Sequence, residues 1–306
     1  MSGTHFKGPV QFSNQTPALQ NLNIGNWPDQ VHVIDDFDQH VFNAGNAAGN
    51  FWSVIAAVNC AAAVPTLGND GSLNGVVNSP AAGAVNDGNL VQGNMNYATP
   101  QSEGDRVYFE CRTTSNGAVS NAGIFAGSPN TFWGLAEQGA AVGSTFGAAV
   151  TSLVGFKLLA GADQVVACIK SPGGEMQFTP NDPDLLSLGT MAQNQFITLG
   201  FELTNSPAVV SNNNTKTSIV NFFVNRRLYA TCRTISRTGG TPSSQFTAGT
   251  SIGPIGSFDA FPATNTAAQR MGLTWDFGLT ATGASTLSHD YFMASQDRAV
   301  SYSPND

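Results

Sequence analysis

Charge is scarce in this sequence. Of its 306 residues, 10% are Asp, Glu, Lys or Arg, where soluble domains usually carry about a quarter. Lysine is scarcest, occurring only at Lys7, Lys157, Lys170 and Lys216, and the formal net charge is -8. A strongly basic nucleic-acid binder is excluded, because few cations are present to displace phosphate counterions. A long charged helix or coiled coil is excluded, because its Ala/Glu/Lys/Leu/Arg composition is missing. Closely spaced cysteines are also lacking. Cys60, Cys111, Cys168 and Cys232 form no C-x-x-C pair, so no zinc site is signalled. Three of them fall in apolar runs and read as small buried hydrophobes. Long hydrophobic runs are absent too. The longest, Phe51 to Leu67, is broken by Ser53, Asn59 and Pro65 and is too short to span a bilayer. The N-terminal MSGTHFKGPVQF has no apolar signal core. Synthesis in a reducing cytosol, without membrane attachment, is the expectation.

Hydrophobic residues make up 41% of the chain and include 20 Phe and 4 Trp, enough to fill a core. Residues 1–34 lack periodicity, are rich in Asn, Gln, Gly and Pro, and read as an extended arm. Residues 65–94 carry NDG, NG and DG turn signals. From residue 105 a period of two dominates. Val107, Phe109 and Cys111 share one face against Tyr108, Glu110 and Arg112. Ile197, Leu199, Phe201 and Leu203 alternate with Thr198, Gly200 and Glu202. Val220, Phe222 and Val224 lead to a turn at Asn225–Arg226, and Leu228, Ala230 and Cys232 return. Met271, Leu273, Trp275, Phe277 and Leu279 oppose Gly272, Thr274, Asp276 and Gly278. In the last run Tyr291 and Met293 oppose Asp290, Phe292 and Ala294. Helix is expected only at Asn181–Leu188, with Asp182 as N-cap and Pro183 in the first turn, and Thr145–Leu159 stays ambiguous between helix and strand. The fold class is all-β: a two-sheet antiparallel β-sandwich. Its expected bounds are an arm over 1–34, the sandwich over 35–300 and a tail over 301–306.

A set of motifs in order resembles a known family. IDDF (Ile34–Phe37) is followed by GDRVYFECR, FWGL (Phe132–Leu135) and GFKLLAGADQVVACI (Gly155–Ile169). Then come FITLGFEL, the hairpin IVNFFVNRRLYATC and LSHDYFMASQDR (Leu287–Arg298). Over about residues 34–298 this resembles the concanavalin A-like (LamG-like) jelly-roll virion proteins of tailed bacteriophages. The family hairpin usually has Gly after its Asn; this chain has Arg226 there. The resemblance implies a capsid decoration (cement) protein on the virion exterior, made in the host cytoplasm. Its implied partners are the major capsid protein and further copies of itself, with no nucleic acid and no membrane.

Catalytic motifs were weighed against this. Jelly-roll glucanases typically carry E-x-D-x-x-E on one strand, and none of Glu103, Glu110, Glu137, Glu175 or Glu202 begins one. There is no G-x-S-x-G, H-E-x-x-H or P-loop. The chain is therefore expected not to be an enzyme, with no catalytic residue, cofactor or metal. A polysaccharide-cleaving enzyme using Glu110 or Glu202 is the reading least favoured. Asp35, Asp36 and Asp38 are the one dense carboxylate cluster, read as a polar strand edge rather than a cation site. His5, His32, His40 and His289 read as surface or hydrogen-bonded residues. Trp133 and Trp275 read as buried. Trp27, in the arm, is a candidate interface anchor. Arg226, Arg227, Arg233 and Arg237 cluster on or after the hairpin. They read as a charged edge that discourages aggregation or as a contact to an acidic shell, and Arg226, Arg227 and Arg233 are the candidate contacts. The alternative function is a glycan-binding jelly roll on a virion surface or tail fibre, attaching to the host.

Overall fold

A computed structural model describes residues 30–35, 43–44, 52–58, 66–67, 77–78, 84–97, 106–115, 125–137, 150, 152–171, 174–206, 216–236, 243–247, 249–252, 271–283 and 285–297. The strands in chain order are β1 (Gln30–Asp35), β2 (Asn43–Ala44), β3 (Trp52–Val58), β4 (Thr66–Leu67), β5 (Val77–Asn78) and β6 (Gly88–Tyr97). They continue with β7 (Arg106–Ser115), β8 (Pro129–Glu137), β9 (Leu153–Leu158), β10 (Val165–Ser171), β11 (Gly174–Pro180) and β12 (Ile197–Ser206). The last are β13 (Lys216–Val224), β14 (Arg227–Ser236), β15 (Ser243–Thr247), β16 (Gly249–Ile252), β17 (Met271–Leu279) and β18 (Leu287–Asp297). One helix, α1 (Pro183–Leu188), lies between β11 and β12. Asp182 caps it, accepting from the Asp184 amide.

The strands form two sheets. Sheet A runs β15-β14-β13-β12-β7-β18-β5-β4, with β1 also on β18. Sheet B runs β16-β11-β10-β9-β8-β17-β6-β3-β2. Each sheet contains a four-strand meander, β12 to β15 in A and β8 to β11 in B. Late strands β18 and β17 then insert beside β7 and β8. The result is a two-sheet antiparallel sandwich of jelly-roll type. Of the arm expected over 1–34, residues 1–29 lie outside the described residues. Gln30–Asp35 is a strand paired with β18, so the sandwich takes in the last residues of that segment. Within the ambiguous 145–159 stretch, Leu153–Leu158 is strand.

Alternation places the expected residues between the sheets. Phe109 stacks on Phe201 at 5.2 Å, and Phe156 meets Phe222 edge-on at 5.4 Å. Trp275 packs on Phe292 at 5.0 Å and on Trp52 at 4.7 Å. Two polar bonds tie sheet to sheet through this core. The Tyr229 hydroxyl donates to the Val165 carbonyl at 2.8 Å, and the Trp52 indole donates to Asp35. Asp35 is therefore buried inside the sandwich, not part of a polar strand edge; Asp36 and Asp38 lie outside the described residues. Cys111, Cys168 and Cys232 are free and buried, as small hydrophobes are.

Of the four register shifts among the described strands, those at Phe222/Phe223 and His289/Tyr291 change expected placements. Phe222 pairs with Ala230 but Phe223 with Leu228, so Tyr229 is the extra residue. Leu228, expected inside, is 51% exposed, and Tyr229 takes the core position. In β18 the register shifts between His289 and Tyr291. Asp290 therefore leaves the face of Phe292 and bonds Arg112 on the outer side. A bulge adds one residue and inverts the phase locally, which a strict period of two cannot foresee.

The other corrections concern His289 and sheet B. His289 is fully buried against Trp275 (4.9 Å) and Phe292 (5.2 Å), and neither ring nitrogen has a protein partner. It is neither a surface nor a hydrogen-bonded residue. Burial lowers its pKa to about 3. In β17, Thr274 and Asp276, which oppose the core residues, are themselves buried on the outer side of sheet B. Leu90, Phe132, Ala136, Val150, Leu153 and Cys168 form a second buried cluster there, beside a Lys157–Glu175 ion pair. Gly134 and Gly155 face each other across β8 and β9. A Cβ on Gly134 would sit 2.2 Å from the Val154 carbonyl oxygen, so no larger residue fits.

Candidate functional site

The outer face of sheet A gathers charge from three parts of the chain. Strand β7 is central, between β12 and β18. Its odd residues fill the core, so Tyr108, Glu110 and Arg112 project outward. Glu110 is almost fully buried, and a buried carboxylate needs hydrogen-bond partners or countercharge. It has both. The Tyr108 hydroxyl donates to Oε2 at 2.6 Å, and the Tyr291 hydroxyl donates to Oε1 at 2.5 Å. The Arg226 guanidinium stands 3.7 Å from Oε1 and hydrogen-bonds to Tyr291.

Arg226 reaches this place from the β13–β14 turn. Asn225 and Arg226 have φ of 48° and 65°, the backbone of a tight two-residue hairpin turn. For a side chain larger than Gly or Asn this costs about 1–2 kcal/mol. The turn is clamped to β12: the Asn225 amide donates to the Thr198 carbonyl at 2.7 Å, and the Thr198 amide donates to Asn225 Oδ1 at 3.0 Å. Between the turn and Glu110, β12 presents Thr198 and Gly200. Gly200 lies directly opposite Glu110, where an added Cβ would meet the Glu110 Cβ and Cγ at 3.6 Å. The Arg226 side chain thus supplies countercharge in exchange for turn strain, at the position where the sequence departs from Gly.

Beside this group, the bulge residue Asp290 pairs with Arg112. The Arg112 guanidinium lies 4.5 Å over the Phe196 ring, a cation–π contact. Farther along β7, Arg106 meets Glu202 of β12 at 3.5 Å. Burial is the main cause that raises the Tyr291 pKa, with the Glu110 carboxylate adding to it. For Arg226, burial opposes the charge, but the bond to Tyr291 and the nearby Glu110 outweigh it and raise the pKa. The Arg226 cation and the Tyr291 phenol are each held in one protonation state near neutrality.

The candidate contacts meet different fates. Arg226 enters the cluster. Arg227 is exposed at the start of β14. Arg233 lies on β14 opposite Ile219 and Gln245, with its side chain outside the described residues. Trp27 and Arg237 are also outside them. Trp133 and Trp275 are buried as expected. Composition and motif reading missed Glu110, Tyr108, Tyr291, Arg112 and Asp290 as a unit. The available signal was the outer-face triplet Tyr108, Glu110, Arg112, together with Arg226 where a Gly is usual. Among the described residues no group of three or more His, Cys, Asp or Glu converges as a metal site would require.

No protein-family model and no curated protein sequence matches this chain. Solved structures of similar shape exist. The endo-1,3-beta-glucanase of Streptomyces sioyaensis is 13% identical, with a TM-score of 0.47, over 88% of this chain and 97% of its own. The CBM2 module of the evolved Dit of Lactobacillus casei BL23 phage J-1 is 10% identical, with a TM-score of 0.42, over 90% and 99%. Arcelin-5, a lectin-like defense protein of Phaseolus vulgaris, is 8% identical, with a TM-score of 0.42, over 88% and 99%. At these scores the likeness carries no argument about ligand or activity. The expectation that the chain is not an enzyme is nonetheless withdrawn: one structure of this shape is a glucanase. Shape of this kind is shared by proteins of different function. A search for carboxylates along one strand also overlooks those brought together from two. Glu110 of β7 and Glu202 of β12 share the outer face of sheet A, one diagonal step apart. The chain is an all-β, two-sheet antiparallel sandwich of jelly-roll type, similar in overall shape to a glucanase and to lectin-like proteins.

Proposed function

We propose that this chain is a structural component of a phage virion, a decoration protein that binds the major capsid protein and copies of itself on the capsid exterior. The observation that carries this reading is the order of the motifs along the chain. The strand containing GFEL, the hairpin after it and the closing LSHDYFMASQD strand lie in one sheet, β12-β13-β14 with β18 beside β7. That is the order the phage jelly-roll resemblance requires. The scarcity of charge supports close packing among many copies, and Arg226 and Arg227 at the hairpin tip suit an acidic shell. The experiment is mass spectrometry of purified, stringently washed particles, followed by location of the chain in an electron-microscopy map. Density over the capsid lattice is expected; absence from the washed particle would sink the reading.

A second reading is glycan recognition at the virion surface. It is favoured by the outer face of sheet A, where phenols, carboxylates and guanidinium groups converge. Sugar sites use such planar groups and charged hydrogen-bonding partners. A glycan array probed with the full chain tests it. No bound glycan, with density only within the shell, would argue against it.

A further inference from the structure

We propose that the hairpin end of the outer face of sheet A is a subsite for an acidic saccharide, a uronate. Arg112 and Arg226 would receive the carboxylate, and the part-exposed Asp290 carboxylate would accept from the hydroxyls. The inference rests on the glycan-recognition reading and gives that reading a ligand class.

The chemistry comes from the mixture of signs. Side chains of Arg112 and Arg226 are 40% and 39% exposed, while each lies beside a carboxylate that is far less so. Asp290 orients Arg112 from one side, and Phe196 supports it from beneath. Tyr291 and Glu110 orient Arg226. Side chains already held by neighbours lose less freedom on binding. Tyr291 stands between the two systems: it is the cross-strand partner of Arg112 and the hydrogen-bond partner of Arg226. Arg112 and Arg226 are therefore both neighbours of Tyr291, one by strand pairing and one by a side-chain bond.

An acidic peptide is a poorer match than a uronate. It would bring carboxylates but few hydroxyl donors toward Asp290, and like charges there repel. A neutral glycan adds no anion to the exposed parts of the two guanidinium groups, which are 40% and 39% exposed. A uronate presents one carboxylate, suited to the planar donor fork of arginine, and several hydroxyls on the same ring. The turn supports the same conclusion. Arg226 occupies a left-handed backbone position that favours Gly, and such strain is concentrated at functional sites.

The test is isothermal titration of the full chain with hexagalacturonate, its methyl-esterified form and poly-glutamate. Hexagalacturonate is expected to bind and to weaken with salt, while the ester binds at least about tenfold less tightly. Arg226→Gly should lower affinity at least about tenfold while keeping the fold, because Gly suits the turn. Arg112→Gln should do the same, and Lys170→Gln on sheet B should change affinity by less than about twofold. Equal binding of the ester, unchanged binding by both arginine variants, preference for poly-glutamate, or no binding at millimolar hexagalacturonate would each overturn the inference. If neutral glycans still bind the chain, only the uronate assignment fails. If a glycan array is blank as well, the glycan-recognition reading fails with it.

Discussion

The outer faces of the two sheets differ in kind. Both belong to strands that alternate in the same way, and both lie opposite the same interior. On sheet B the outer side is buried, with the apolar cluster of Phe132, Leu153 and Cys168 beside buried Thr274 and Asp276. Among the described residues a Lys157–Glu175 ion pair adjoins the cluster, with Lys157 opposite Phe132. On sheet A the outer side carries Tyr108, Glu110, Arg112, Asp290 and Tyr291, with two arginine side chains about 40% exposed. A face buried among apolar groups contributes stability through area removed from water. A face that holds charges in fixed positions at some desolvation cost has a different use. Sheet B is thus the structural wall of the sandwich, and sheet A carries the chemistry.

This contrast can be broken by mutation. The largest effect is expected for Gly134→Ala on sheet B. Its new Cβ would meet the Val154 carbonyl at 2.2 Å, and the backbone must move. Destabilisation of about 3 kcal/mol or more, or failure to fold, is expected in urea denaturation. A change below about 1 kcal/mol would show that the two strands separate easily. Next is Phe132→Ala, also on the outer side of sheet B. If that face is a true core, the loss is about 3–5 kcal/mol; a loss near zero would mean that the second cluster contributes little.

The third prediction concerns the interior shared by both sheets. His289 is neutral and buried, with a pKa of about 3 against an ordinary 6.5 for the unfolded chain. The unfolded chain therefore binds the extra proton first as pH falls. The stability contribution is fully present above about pH 6.5 and is lost progressively toward pH 3, by up to about 1.4 kcal/mol per pH unit. His289→Phe should flatten this part of the stability–pH curve. Unchanged pH dependence in the variant would assign acid sensitivity to other groups.

The smallest effect is expected on sheet A. Arg226→Gly relieves the turn but removes countercharge from Glu110, and the two changes oppose each other. Net stability should move by less than about 1 kcal/mol, read from the urea midpoint. A large loss would make Arg226 a structural residue and weaken the contrast between the faces.

Much of the fold was legible because inner faces follow a period of two. Phe109, Phe201, Phe222 and Trp275 were all placed inside by alternation, and all are. The helix cap at Asp182 was legible because capping is local. The bulges at Tyr229 and Asp290 were not legible, because one inserted residue depends on what the neighbouring strand does. Nor was the burial of the outer side of sheet B: Thr274 and Asp276 look solvated in sequence, yet both are buried. The candidate site was legible only in fragments. Arg226 stood out at a Gly position and the Tyr108–Glu110–Arg112 triplet was visible, but nothing local joined them to Tyr291.

The sequence alone determined the scarcity of charge, the all-β class, the inward residues and the turn at Asn225–Arg226. These depend on composition and on contacts along one strand. Only the tertiary structure decided which charges meet. Glu110 and Tyr291 are 181 residues apart in the chain and adjacent only because β18 inserts beside β7. Arg226 reaches them from the β13–β14 turn, which β12 holds through Thr198. Carboxylate, phenol and guanidinium come together through strand order, which long-range pairing sets and local pattern does not encode.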